Sequence, residues 1–146
     1  MNPKYFVAGF FGLGLLALIS TAFTQKEQNP HSVQTTSGDI GGPLASVSIP
    51  ELSSSAKSGK IAFEAKCATC HGANAAGKDG VGPPLVHKIY EPNHHGDNAF
   101  LLAARNGVRS HHWRFGNMAP VKNVTDEQIA SIVVYVRELQ RANGIR

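Results

Sequence analysis

The only two cysteines of the chain stand three positions apart and are followed at once by a histidine, in the run Cys67-Ala68-Thr69-Cys70-His71. Whatever joins these side chains is settled at one spot, and the rest of the fold must be built around it. Three ordinary uses of a cysteine pair compete. A Cys67–Cys70 disulfide is the default in an oxidising compartment but leaves the adjacent His71 without a role. A thioredoxin-like dithiol needs a βαβ setting in which the motif opens a helix. A structural zinc site needs four ligands, usually from a second paired set, so histidines would have to complete it here.

The spacing fits a fourth use better. C-x-x-C-H is the attachment motif of a c-type haem. Two cysteines three apart at a helix end lie on one side and can reach the two vinyl groups of one porphyrin, while the adjacent imidazole projects toward the iron. The expected cofactor is therefore one covalently attached haem c, bonded through Cys67 and Cys70, with His71 as an axial iron ligand. A sixth ligand of the methionine type has to be Met118, since Met1 is the only other methionine. Met118 sits in Gly116-Asn117-Met118-Ala119-Pro120, whose Gly, Asn and Pro mark a turn rather than a core segment. A thioether is a soft ligand that favours ferrous iron and raises the potential.

Around this motif the chain divides into three. Lys4 precedes an apolar run from Tyr5 to Ile19 that fades through Ser20, Thr21, Ala22 and Phe23. A positive end before such a run is the layout of an export signal, and it leaves the N-terminus in the cytoplasm. Residues 1–23 are read as a signal peptide or a single hydrophobic helix anchoring the protein. Counted to Phe23 the run just reaches the roughly 17–25 residues a span requires. Cleavage near Ala22 would release a soluble domain; the long tether that follows favours a retained anchor through residues 5–23. Either way the working domain is placed outside the cytoplasm, on the periplasmic side.

Residues 24–55 lose all periodicity and read as a flexible linker. Treated as coil, roughly 30 residues have an end-to-end distance of about 30 Å. Residues 56–146 carry three helical patterns. One runs from Ser58 to about Cys67, with Ile61, Ala62 and Ala65 as its apolar positions. The next covers Asn98 to Asn106 after Asp97 as N-cap, with Gly107 as its stop. In the third, Thr125 and Gln128 form a capping box, and Ile129, Ile132, Val133, Val136 and Leu139 make an apolar stripe. Arg137 and Arg141 face its negative end. No stretch alternates as a strand does, so the domain is expected to be all-α with long loops. Three short helices make a thin core, for which a large apolar cofactor would serve as a staple.

These residues together resemble a class I c-type cytochrome. The likeness spans about residues 57 to 142 and rests on the C-A-T-C-H motif after a helix, the N-M-A-P loop and the amphipathic last helix. Gly59 and Phe63 match the family's glycine and aromatic in the first helix, and Tyr135 its aromatic in the last; the resemblance implies that these pack the terminal helices across each other. Gly82-Pro83-Pro84-Leu85 is similar to the family's G-P-x-L segment, which implies a His71 imidazole N–H donated to the Pro83 carbonyl. The implied fold is a small all-α domain wrapped around one haem. The implied function is an electron carrier between extracytoplasmic redox partners, not an enzyme. A subunit of a larger oxidoreductase, or a haem enzyme or sensor with a displaceable sixth ligand, would share much of this pattern.

His87, His94, His95, His111 and His112 crowd the stretch before Met118, beside Trp113 and Arg114. One reading is a second metal site, with copper as a candidate, since imidazole suits copper and zinc; a variant puts one of these histidines on the iron in place of Met118. The plainer reading, in which they hydrogen-bond haem propionates and loop carbonyls, is favoured because neither His-His pair has obvious metal-ligand spacing. From Ala56 onward twelve Lys and Arg face seven Asp and Glu, a net of +5. Such a field steers docking onto acidic patches of redox partners. Without a Lys/Arg cluster it gives no reason to expect nucleic acid.

Overall fold

The computed structural model describes residues 41–146. The anchor or signal segment expected at 1–23, and the first part of the linker, lie outside the described residues. Four α-helices follow one another: α1, Ser54–Lys66; α2, the single turn Ala68–His71; α3, Asp97–Asn106; and α4, Asp126–Ala142. Short 3₁₀ turns occupy Ala73–Ala75 and Lys88–Tyr90. There are no strands among the described residues, only two isolated bridges, so the all-α expectation holds.

The frame is the crossing of α1 and α4. α4 starts where its sequence says: the Thr125 hydroxyl accepts from Gln128 N at 3.2 Å and the Gln128 side chain accepts from Thr125 N at 3.0 Å. Its expected stripe is buried throughout, from Ile129 to Leu139. Against it α1 lays Ala56, Gly59 and Phe63. The Phe63 and Tyr135 rings meet with centroids 5.6 Å apart and planes tilted by 59°, a favourable aromatic arrangement. Gly59 is what allows the approach, since a Cβ there would stand 1.9 Å from the Ser131 carbonyl oxygen.

Three expectations need correction. α1 begins at Ser54 rather than Ser58, because Ser53 caps it by accepting from Ala56 N at 3.2 Å. Its buried face is not the one the apolar residues suggest: Ile61 is 70% exposed. α3 begins one residue early, with Gly96 as N-cap, because the Asp97 carboxylate is turned to accept from Arg137 Nε at 2.7 Å.

The linker expectation also fails over nearly half its length, from residue 41 onward. Residues 41–53 run along the domain as a bonded strap. Gly41 N donates to Asp79 O at 3.1 Å, and Leu44 N and Ala45 N donate to Ala76 O at 3.0 and 2.9 Å. Ser48 exchanges two hydrogen bonds with the Asn143 side chain, both 2.9 Å. The Ser53 hydroxyl donates to Glu138 Oε1 at 2.7 Å, and Val47 and Leu52 pack against the core.

Candidate functional site

The site is a cavity of about 880 Å³ between the α1–α4 frame and the loops that join α2 to α4, a size suited to a bound small molecule or cofactor. Cys67, Cys70, His71 and Met118 all line it. Residues separated by 51 positions in the sequence are thus brought to one space.

Cys67 closes α1, its N–H bonding Phe63 O at 2.8 Å, and α2 turns straight back off it, with Cys70 N and His71 N donating to Cys67 O at 3.1 and 2.9 Å. The motif ends one helix and makes one further turn, as a thioredoxin-like pair would not. The two cysteines are not joined to each other. Burial pushes the Cys67 thiol up to about 11, with Cys70 adding to the effect. A thiol held protonated is a poor partner for disulfide exchange.

His71 is buried, and its Nδ1 lies 2.9 Å from the Pro83 carbonyl oxygen. A carbonyl only accepts, so Nδ1 carries the proton and Nε2 is left with a free lone pair. Burial lowers the pKa of this imidazole, against the smaller opposing effect of the Pro83 bond. The neutral, ligating form is thereby favoured.

Met118 is placed by its backbone. Its N–H and carbonyl exchange 2.9 Å bonds with Val108, just past the end of α3, and Val121 N donates to Ala104 O at 2.8 Å. Gly107 makes the pairing possible: its φ is +73°, and a Cβ would lie 2.4 Å from Met118 O. Asn117 assists in a way the sequence reading missed, its Oδ1 accepting from Ser110 N at 2.9 Å. The signal was an asparagine inside a turn marked by Gly116 and Pro120, where that residue commonly bonds local backbone.

The Trp113 indole nitrogen is buried without a hydrogen-bond partner. Tyr90 is near enough for Trp113 to influence its hydroxyl, but the pair does not reach bonding geometry. An orphaned donor in a cofactor-sized cavity is the mark of an acceptor supplied by a ligand.

The histidines gather differently from their sequence spacing. His94, His95 and His112 bring ring nitrogens within 4.8 Å of one another, and the His111 ring lies 4.2 Å from that of His112. His87 stands apart, edge-on to Trp113 with centroids 5.0 Å apart. Carbonyl bonding of the kind expected does occur, at His95 Nδ1 to Ile89 O (2.7 Å) and His111 Nδ1 to Arg109 O (2.9 Å).

The family model for cytochrome c matches residues 56–140. The chain belongs to the cytochrome c family. No curated protein matches it closely enough to count as a relative. Membership brings a covalently attached haem c and haem-based electron transfer. The cytochrome c domain fits that group on its own geometry: two cysteines lining the cavity, a buried imidazole with its Nε2 free, and an indole N–H in want of an acceptor.

Proposed function

We propose that this protein is a one-electron carrier whose haem iron is ligated by His71 and Met118, and that it works outside the cytoplasm between redox partner proteins. The observation that carries the reading is the sharing of one cavity by the C-A-T-C-H motif and a backbone-pinned methionine. When bound, haem c supplies a one-electron couple. Cys67 and Cys70 would hold it through their sulfurs. Pro83 fixes the tautomer and orientation of His71 and raises its basicity. The Met118 thioether favours the ferrous state and so raises the potential. Trp113 would donate its indole N–H to a propionate.

His71 and Met118 would together hold the iron and leave no coordination site for a substrate, which favours a carrier over an enzyme or sensor. The net charge of +5 from Ala56 onward suits docking to acidic surfaces. Export rests on Lys4 and the apolar run behind it.

A redox-titrated visible spectrum of the purified protein tests the ligation, since the weak far-red band reports a methionine–iron bond. That band is expected in the oxidised protein, and the reduced protein should not bind carbon monoxide readily at neutral pH. Met118→Ala should abolish the band, lower the midpoint potential substantially and admit carbon monoxide. An unchanged potential and spectrum in that variant would remove Met118 from the iron.

A further inference from the structure

Two loops that the sequence keeps apart carry the histidine pairs, and both are held by the fold. His94 and His95 close the turn after Lys88–Tyr90, their N–H groups bonding Glu91 O at 3.0 and 2.8 Å. The His95 carbonyl is gripped by the buried Arg137 guanidinium. His112 lies in the loop ahead of Met118, where Ser110 bonds Asn117 Oδ1 at 2.9 Å and, through its hydroxyl, the Trp113 carbonyl. In this frame Nε2 of His94 and Nε2 of His112 face each other at 3.2 Å.

We propose that His94, His95 and His112 form a second metal site, distinct from the haem, that binds one divalent ion of the zinc and copper(II) class.

The distances suit such an ion. A metal–nitrogen length of about 2.0–2.1 Å in tetrahedral geometry puts neighbouring ligand nitrogens roughly 3.3–3.4 Å apart. The His94–His112 separation of 3.2 Å is close to that, and all three rings offer a nitrogen within a 4.8 Å span. His95 has the support typical of a metal-bound imidazole: its Nδ1 donates to Ile89 O at 2.7 Å, which leaves Nε2 as the lone-pair atom. The ligand set is imidazole without carboxylate, which selects zinc or copper over magnesium or calcium. Metal binding needs the neutral imidazole. His94 and His112 are exposed, so an ion has a path in. Three protein ligands leave a fourth position for water, with the His111 ring alongside.

The test uses the haem-loaded protein, freed of metals by a chelator and titrated with zinc chloride and, separately, with copper(II) chloride. Calorimetry and metal analysis after dialysis should give one ion per chain. His112→Gln and His94→Gln should each weaken binding at least about tenfold, and the triple His94→Gln, His95→Gln, His112→Gln variant should retain none. His31→Gln, outside the domain, should bind as the parent does. The haem spectrum should stay unchanged in every variant, which shows that the fold and the iron ligands are intact. No retention of either metal at equimolar concentration overturns the proposal. So does parent-like binding by the triple variant, or loss of binding on replacing His31.

Discussion

At the scale of single residues, the tightest constraint is Gly59, where the helix α1 touches backbone rather than side chain. A Cβ there would meet the Ser131 carbonyl carbon at 2.5 Å as well as its oxygen. Neither atom belongs to a flexible side chain, so the helices must part. Gly59→Ala should cost about 2–3 kcal/mol by the usual scale of overpacking, read as a lower denaturant midpoint with an unchanged slope. Tyr135 supplies a pH dependence. Burial, and secondarily Glu64, pushes its phenol from 10.0 up to about 12, while its hydroxyl donates to Asn74 Oδ1 at 3.2 Å. Below pH 10 both folded and unfolded chains keep the proton and the contribution is whole. Between pH 10 and about 12 the unfolded chain alone releases it, so stability falls as pH rises. Denaturant midpoints measured across this window should decline in the parent and decline less in Tyr135→Phe; equal slopes would assign the loss to other groups.

At the scale of elements, α4 does more than fill the core. Arg137 is buried on it and reaches three separate pieces of chain: Asp97 at the start of α3, Tyr90 O at 2.6 Å, and the His95 carbonyl. Its guanidinium also lies 4.9 Å from the Phe100 ring centre. One turn on, Gln140 donates to Leu85 O at 2.8 Å and Tyr90 O at 3.0 Å. Together they tie the loop carrying Pro83 to the frame. Arg137→Ala should destabilise by about 1–3 kcal/mol, chiefly by leaving the His95 carbonyl without its donor, since the largely exposed Asp97 can rehydrate and Tyr90 O keeps its bond from Gln140. Thermal melting checks this. The sequence placed Arg137 near a negative helix end and went no further. An arginine at the edge of an apolar stripe looks the same whether it meets solvent or buried carbonyls.

At the scale of the whole molecule, legibility follows the range of the interactions. The attachment motif, the capping box of α4 and its stripe were readable because their partners lie within a few residues. That Met118 would share the cavity with the motif was reachable by elimination, Met1 being the only other methionine. The crowding of histidines was visible and a metal site was weighed, but which of them meet was not, because His94 and His112 come together only after α3 has folded back. Nor was the strap at 41–53, whose partners at Asp79, Glu138 and Asn143 lie far along the chain and whose extended backbone has no period to detect. Removing residues 1–52 should cost about 2–3 kcal/mol relative to removing 1–40, from the half-buried Val47 and Leu52. Equal melting temperatures for the two truncations would show the strap to be idle.

The strap also sets where the domain can be held from. Its first fixed point is Gly41, against Asp79. If the N-terminal segment stays in a bilayer, only residues 24–40 remain as a leash, and even drawn out at about 3.3–3.6 Å each these could not span more than roughly 60 Å. Such a leash would let go on the Asp79 side of the domain, so the surfaces free to meet a distant partner would be those turned away from it.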